Sequence, residues 1–227
     1  MKSDRVLERV ALPDGSEMVL MRWDRHIAIE VDGRSLMSSH DHGSEDELGR
    51  IVGDGLAGVA KPRVLIGGLG LGFTLRAALD VLPAGAKVVV AELSPHVVRW
   101  NRGEHGALAD RPLDDKRVKV VVDDVANVIA DGTGYDAILL DVDNGPDAIT
   151  HRGNANLYKR AGLARAKAAL RPGGVLAVWS SFSSKTFTRW LDAVGFDVEL
   201  LRPRSARPGG PRYYIWLARS PAKSRKV

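Results

Sequence analysis

A short apolar run that ends in a cluster of glycines constrains the fold more than any other feature of this 227-residue sequence. Residues 64–66 read Val-Leu-Ile, residues 67–72 read Gly-Gly-Leu-Gly-Leu-Gly, and a helical pattern starts near Phe73. Such a run is typical of a buried strand, and glycines let the backbone turn sharply and approach a ligand because they carry no Cβ. The free N–H groups at the start of the helix would point into this turn. We therefore predict that Gly68, Gly70 and Gly72 bind the polar part of a nucleotide-like ligand.

Acidic side chains stand at the ends of the next three apolar runs, 88–91, 118–122 and 137–140. Ligands of open α/β sheets bind outside the carboxyl ends of the strands, so these acids are predicted to meet at one site. The alternative is that each acid caps a helix, but acids on three consecutive strands beside a glycine turn favour a site. The residues concerned, with one apolar neighbour, are Glu92, Leu93, Asp123, Asp124, Asp141 and Asp143.

Position along the sheet gives these acids different predicted roles. Glu92, twenty residues beyond Gly72, would accept hydrogen bonds from two ribose hydroxyls. Asp124 stands where a carboxylate would accept a hydrogen bond from a purine amino group. Asp141 faces the centre of the crevice, where a carboxylate takes a proton from an attacking amine or orients that amine. Asp143, or Asn144 beside it, would contact the acceptor.

Alternating strand and helix patterns from Pro62 onward predict an α/β fold with a mostly parallel sheet and helices on both faces. The last two strand patterns, 196–201 and 213–217, have no helix between them and predict an antiparallel hairpin at one edge. Before the sheet, short apolar runs separated by Asp-Gly turns predict a small antiparallel β unit. We predict an N-terminal β-hairpin unit (1–36), a Rossmann-like catalytic domain (37–220) and a basic tail (221–227).

The segment 37–50 is dense in polar and titratable side chains. Ser44 and Glu47 fit a capping box, which predicts a helix that begins there and runs toward residue 56. We predict that His42 and Glu45 face the substrate, the alternative being a plain surface loop. His40 and His42 are a weaker candidate for metal ligands because no third ligand is fixed by the sequence, and no metal site is predicted.

Composition and charge exclude several classes of function. The net charge is +5, but eight of the 33 basic residues lie in 202–227, where no acid occurs, so the rest is slightly acidic. We interpret the basic end as a solvated segment and do not expect nucleic acid as a partner. The absence of cysteine excludes disulfides and thiolate catalysis. No apolar run approaches the ~20 residues of a membrane span, and no signal-like segment follows the N-terminus, so a cytoplasmic protein is expected.

Several of these segments together are similar to one known family. The sequence resembles the spermidine synthases (polyamine aminopropyltransferases), which share the class I S-adenosylmethionine-dependent methyltransferase fold with its seven-stranded sheet. The resemblance implies that Glu92 and Asp124 bind the ribose and adenine of decarboxylated S-adenosylmethionine or S-adenosylmethionine, and that Asp141 prepares an amine acceptor such as a polyamine. A homodimer is also implied. The segments that carry the resemblance are 31–33, 68–76, 91–93, 117–124, 135–141 and 170–176.

The sequence departs from this family where the transferred group and the acceptor would lie. Leu71 replaces an Asp of the glycine loop, Glu45 replaces a Tyr, and residues 141–145 read Asp-Val-Asp-Asn-Gly instead of Asp-Ser-Ser-Asp-Pro. A methyltransferase acting on a small molecule, which Leu71 favours, and a non-catalytic adenosyl-binding protein therefore stay as alternatives. A nicotinamide-dependent dehydrogenase fits less well, because Gly70 and Gly72 are separated by one residue rather than two. Trp179 is predicted to line the acceptor pocket, with a core position as the alternative.

Overall fold

The N-terminal part of the chain forms a separate four-stranded antiparallel sheet in strand order β1-β2-β3-β4. The computed structural model describes residues 5–12, 15–142, 145–146, 156–203, 210 and 212–222. Asp32 and Gly33, both with positive φ, make the tight turn into the last strand of this sheet, so the predicted small β unit is confirmed. The strands are β1 (Arg5–Ala11), β2 (Glu17–Trp23), β3 (His26–Val31) and β4 (Arg34–Ser38).

The second sheet has seven strands in the order β10-β11-β9-β8-β5-β6-β7. Its strands are parallel except β11, which runs antiparallel to both of its neighbours. This arrangement confirms the predicted Rossmann-like sheet with an antiparallel hairpin at its C-terminal edge. The strands are β5 (Arg63–Gly67), β6 (Lys87–Glu92), β7 (Val118–Val122), β8 (Tyr135–Leu140), β9 (Leu170–Ser180), β10 (Asp197–Leu201) and β11 (Tyr214–Arg219).

Helices cover both faces of the seven-stranded sheet. They are α1 (Gly43–Gly55), α2 (Phe73–Val81), α3 (Pro95–Arg102), α4 (Val125–Asp131), α5 (Arg160–Ala169) and α6 (Lys185–Val194). Two 3₁₀ helices, Glu104–Ala109 and Pro112–Asp114, connect α3 to β7. The sequence pattern did not predict α4, whose seven residues are too short to show a helical period. None of the helices in the described ranges combines the length and apolar character that crossing a membrane would require.

The capping box predicted for α1 is wrong, although the helix itself is present. The residue before the helix is His42, whose side chain makes no capping hydrogen bond. Ser44 instead lies inside the first turn, and its hydroxyl donates to Glu45 Oε2 at 2.6 Å. The helix starts two residues earlier than the Ser-x-x-Glu pattern implied, so Glu45 is placed in its first turn.

Successive side chains of the central strands point to opposite faces of the sheet, so the core is divided into two clusters, one on each face. Ile66 belongs to the cluster that contains the N-terminal sheet, α1, α2 and α3, whereas its neighbour Leu65 packs with α4, α5 and α6. The N-terminal sheet is fastened to the main domain by Glu8, which accepts a hydrogen bond from Trp100 Nε1 at 2.9 Å and pairs with Arg99. These contacts hold the first sheet beside the carboxyl ends of the parallel strands.

Candidate active site

A cavity of about 460 Å³ lies between the N-terminal sheet and the carboxyl ends of β5, β6, β7 and β8. This is the edge at which ligands of open α/β sheets bind. One wall is apolar and comes from the N-terminal sheet, while the opposite wall carries carboxylates. The predicted site residues that line the cavity are Glu45, Gly68, Gly70, Glu92, Leu93, Asp124, Asp141 and Trp179.

The glycine turn between β5 and α2 needs its glycines. Gly68, Gly70 and Gly72 have φ values of 88°, 51° and 91°, a region that residues with a Cβ rarely adopt. A Cβ on Gly68 would lie 2.2 Å from the carbonyl oxygen of Asp141, so the turn passes directly against the end of β8. Gly72 turns the chain into α2 beside Asn101 and is not among the residues that line the cavity.

The glycine turn satisfies its own N–H groups with atoms of the protein. The Leu69 N–H donates to Glu92 Oε2 at 2.8 Å, and the Gly72 N–H donates to the Leu69 carbonyl. The Leu71 N–H donates to the thioether sulfur of Met37 at 2.8 Å. These three N–H groups of the turn are therefore used within the protein, and the prediction that Gly68, Gly70 and Gly72 bind the polar part of a ligand stays a prediction.

Glu92 is buried at the end of β6, and both of its carboxylate oxygens accept backbone hydrogen bonds. Oε2 accepts from Leu69 N and Oε1 accepts from Ser94 N, each at 2.8 Å. Burial raises the pKa of this carboxyl, against backbone hydrogen bonds that lower it. Glu92 thus ties the glycine turn to the start of α3 and lines the cavity at the same time. The predicted contact with ribose hydroxyls stays a prediction.

Of the two acids that follow β7, Asp124 lines the cavity and Asp123 does not. Asp124 Oδ1 accepts a hydrogen bond from Ala126 N at 2.8 Å, so Asp124 is the N-cap of α4 as well as a residue of the cavity wall. The helix-cap interpretation, which the sequence disfavoured, is therefore correct for this residue. Asp123 is not among the lining residues; its Oδ1 accepts from Asp124 N and from Asn127 Nδ2. Its predicted role in cofactor binding stays a prediction.

Asp141 and Glu45 form an acidic pair in the cavity wall. Thr74 Oγ1 donates to Asp141 Oδ2 at 2.6 Å, and Ser44 Oγ donates to Glu45 Oε2 at 2.6 Å. Burial raises the pKa of Asp141 to about 6, although the Thr74 hydrogen bond lowers it. Burial first, and the negative charge of Asp141 second, raise the pKa of Glu45 to about 7. Both carboxyls therefore bind a proton more readily than free Glu and Asp do.

His42, predicted to contact substrate, lies over the start of α2. Its ring stacks on Phe73 with a centroid separation of 3.8 Å and an interplanar angle of 7°. His42 Nδ1 lies 2.9 Å from Asp46 Oδ2, and this hydrogen bond raises the pKa of the imidazole. His42 is not among the residues that line the cavity. The ring therefore packs against the outside of the site, and its predicted contact with substrate stays a prediction.

Trp179 at the end of β9 lines the cavity, as predicted, and is also part of the core. It is 6% exposed and packs on Tyr213, with ring centroids 5.4 Å apart. Its buried Nε1 has no hydrogen-bond partner among the described residues. Asp143 and Asn144, predicted to act on the acceptor, lie outside the described residues.

The N-terminal β unit was expected from the sequence to cover one side of a site or to form a subunit contact, and it supplies the apolar wall of the cavity, but the sequence did not indicate which residues form that wall. It is contributed by strands that precede the glycine turn by 30 to 60 residues, so no local pattern links it to the site. The alternating apolar positions of β2, β3 and β4 were the only signal that one face of this sheet is covered. The residues of this wall are Ala11, Leu12, Ser16, Met18, Ile29, Val31, Leu36 and Met37.

The fold defines a class of protein: an α/β sheet with a glycine turn after its first strand and acids at the following strand ends. No protein-family model matches the sequence, and no curated protein matches it. Solved structures, in contrast, are similar to this chain. A spermidine synthase in complex with the transition-state analogue AdoDATO has a TM-score of 0.76 and 18% identity, over 98% of this chain and 74% of that chain.

Two further structures agree with this similarity. Spermidine synthase from Thermotoga maritima has a TM-score of 0.77 and 18% identity, over 98% of this chain and 75% of its own. A probable spermidine synthase from Corynebacterium glutamicum has a TM-score of 0.64 and 21% identity, over 97% of this chain and 80% of that chain. The chain therefore has a spermidine synthase-like fold, including the small N-terminal sheet.

Proposed function

We propose that this protein is a transferase that moves an alkyl group from an adenosyl sulfonium donor, decarboxylated S-adenosylmethionine or S-adenosylmethionine, to an amine such as a polyamine. The observation that carries the proposal is the charge of the cavity. Its described lining includes no Lys or Arg side chain and holds four carboxylates, Glu45, Glu92, Asp124 and Asp141. A sulfonium and an ammonium are both cations, so this lining suits donor and acceptor together.

The adenosyl half of the donor fits the side of the cavity formed by β6 and α4. Glu92 at the end of β6 is the proposed ribose ligand, and Asp124 at the start of α4 is the proposed partner of the adenine amino group. Leu93 follows Glu92, lines the cavity and is 51% exposed, so its apolar side chain is accessible to a ligand. We assign it to contact with the adenine ring.

The reaction centre is assigned to Asp141 with Glu45. The acceptor arrives as an ammonium, gives one proton to the carboxylate pair, and its nitrogen lone pair attacks the carbon next to the sulfonium. A new carbon–nitrogen bond forms, the carbon–sulfur bond breaks, and the electron pair remains on sulfur, which leaves as methylthioadenosine. Alignment of two reactants is worth about 7–11 kcal/mol, and proton removal by a carboxylate contributes roughly 10²–10⁴-fold.

Methyl transfer from S-adenosylmethionine is the second candidate, and Leu71 favours it because the glycine turn lacks the expected acid. The charge of the cavity argues for the decarboxylated donor instead. S-adenosylmethionine carries a carboxylate that would meet the acidic wall without a Lys or Arg partner in the described lining. The N–H groups of the turn at Leu69, Leu71 and Gly72 are already used by the protein.

The experiment is parallel calorimetric titration with methylthioadenosine, decarboxylated S-adenosylmethionine and S-adenosylmethionine, followed by a methylthioadenosine-release assay with a panel of amines. We expect the decarboxylated donor to bind more tightly than S-adenosylmethionine and to be turned over. Asp141→Asn is expected to abolish turnover, while Asp54→Asn at the exposed end of α1 serves as the matched control. Binding without turnover would identify an adenosyl-binding protein, and failure of all three ligands to bind would refute the adenosyl site.

A further inference from the structure

Asn101 of α3 binds two backbone carbonyls through the nitrogen of its side-chain amide. Its Nδ2 donates to the Gly70 carbonyl at 2.8 Å and to the Val97 carbonyl, one turn earlier in the same helix, at 3.0 Å. A primary amide has two N–H groups on one nitrogen, so it can serve both carbonyls at once. Asn101 is 3% exposed, and these bonds are therefore largely shielded from water. The residue ties the glycine turn to α3.

The peptide group between residues 70 and 71 is held at both of its ends. Its carbonyl oxygen belongs to Gly70 and accepts from Asn101. Its N–H belongs to Leu71 and donates to the Met37 sulfur at 2.8 Å. A thioether sulfur is a weak acceptor, so the Asn101 hydrogen bond is the stronger of the two. Gly70 has a φ of 51° and no side chain, so without this bond the peptide group can rotate at little steric cost.

The orientation of the Asn101 amide leaves its oxygen without a hydrogen bond. Oδ1 is buried and has no hydrogen-bond partner among the described residues. A Cβ added at Gly72 would lie 3.0 Å from this oxygen, which therefore packs against the backbone of the same turn. A buried polar atom without a partner destabilises a protein, and an apolar side chain of the same shape avoids this cost. Packing alone therefore does not account for an amide at this position.

The part of the turn that Asn101 holds belongs to the cavity wall. Gly70 lines the cavity together with Glu92 and Asp141. Burial raises the pKa of the Glu92 carboxyl, and the Gly70 N–H is one of the backbone donors that lower it. The Gly70 carbonyl oxygen is directed toward α3 by its bond to Asn101. A rotated peptide group after Gly70 would change the shape and the polarity of the wall beside these carboxylates, whichever way a ligand lies in the cavity.

We propose that Asn101 is a positioning residue that selects the binding-competent orientation of the peptide group between Gly70 and Leu71. The inference rests on the proposed adenosyl site and extends it to a residue that is not among those lining the cavity. When the hydrogen bond is removed, part of the population has a rotated peptide group, and the affinity for an adenosyl ligand falls in proportion to the competent fraction. Loss of one neutral hydrogen bond corresponds to about threefold to tenfold weaker binding.

The test is Asn101→Leu, which keeps the shape of the side chain and removes its N–H donors. We expect methylthioadenosine to bind about threefold to tenfold more weakly than to wild type in calorimetric titration. We also expect amide exchange, measured by NMR, to become faster at Leu71 while the amides of α3 exchange as in wild type. A purely structural role would not produce this selective change. The melting temperature is expected to stay within about 4 °C of wild type.

Asn127→Leu is the matched control. Asn127 is exposed on α4, and its Nδ2 donates to Asp123, which does not line the cavity. This variant is expected to change neither the affinity for methylthioadenosine nor amide exchange at Leu71. Asn101→Ala replaces Asn101→Leu if thermal melting shows that the leucine variant does not fold.

The outcomes separate the two proposals. If methylthioadenosine binds equally well to wild type and to Asn101→Leu, the role of Asn101 is overturned while the adenosyl site stands. Weaker binding with unchanged exchange at Leu71 also overturns it, because the loss then does not arise from the peptide group. An equal loss of affinity in Asn127→Leu has the same consequence. If methylthioadenosine does not bind to wild type, the adenosyl site itself is wrong and the inference falls with it.

Discussion

Replacing Glu45 by Gln is expected to make the protein more stable at alkaline pH. Glu45 is 8% exposed, its hydroxyl partner Ser44 donates to Oε2, and burial together with the charge of Asp141 raises its pKa from 4.5 to about 7. The folded protein therefore binds this proton more tightly than the unfolded chain does. The contribution of Glu45 to the free energy of unfolding is fully present below about pH 4.5 and is lost as pH rises through about 7.

The size of the effect follows from the same pKa values. Each tenfold change in proton affinity is worth about 1.4 kcal/mol, so raising the pKa of Glu45 from 4.5 to about 7 corresponds to about 3 kcal/mol of stability lost by pH 8. Gln has the same shape and stays neutral. We expect Glu45→Gln to come within about 1 kcal/mol of wild type at pH 5 and to exceed its unfolding free energy by about 3 kcal/mol at pH 8.

The assay is urea unfolding of both proteins at pH 5, 6, 7 and 8. Glu47→Gln is the control, because Glu47 lies on the same helix with a side chain 40% exposed and pairs with Arg50 at the surface. It is expected to change stability by less than about 0.5 kcal/mol at every pH. The reasoning is refuted if Glu45→Gln keeps the pH dependence of wild type or is less stable than wild type at pH 8.

Two further substitutions test particular hydrogen bonds. Thr74→Val removes the hydroxyl that lowers the pKa of Asp141, so that pKa is expected to rise above about 6. Titration of the Asp141 carboxyl signal by NMR measures this, and an unmoved pKa would show that Thr74 does not stabilise the charged form. Trp100→Phe removes the indole donor to Glu8 and is expected to lower the unfolding free energy by about 1 kcal/mol. In a Glu8→Ala background the same substitution should cost little, and an equal loss there would assign the effect to packing.

The parts of the fold that the sequence predicts correctly depend on local patterns. The apolar runs of the central strands are recognisable because each strand is specified by residues close in the chain. The start of α3 is local in the same way: Ser94 caps the helix and Pro95 follows at its first position. The glycine turn is equally local, since positive φ at Gly68, Gly70 and Gly72 is a backbone requirement.

The rest of the site depends on contacts between distant segments. That Glu92 uses both oxygens on backbone N–H groups follows from how closely the turn approaches the end of β6, a distance that no sequence pattern encodes. The same holds for Met37, which is 34 positions away from its partner Leu71. Asp124 shows a different difficulty, because a strand-end acid is an equally good residue for a helix cap and for a site, and here it lines the cavity and caps α4.

The two-sided construction of the cavity also affects when the protein becomes able to bind. One wall is made by residues 11–37 and the other by residues 68–142 with Glu45 and Trp179, so the cavity is complete only after long chain loops have closed. A partly folded chain that has formed only one sheet has one wall and no enclosed site. A ligand at about 100 times its Kd would therefore add about 2.7 kcal/mol to the fully assembled state alone. Binding would slow the separation of the N-terminal sheet from the main domain, and amide exchange in both would slow together.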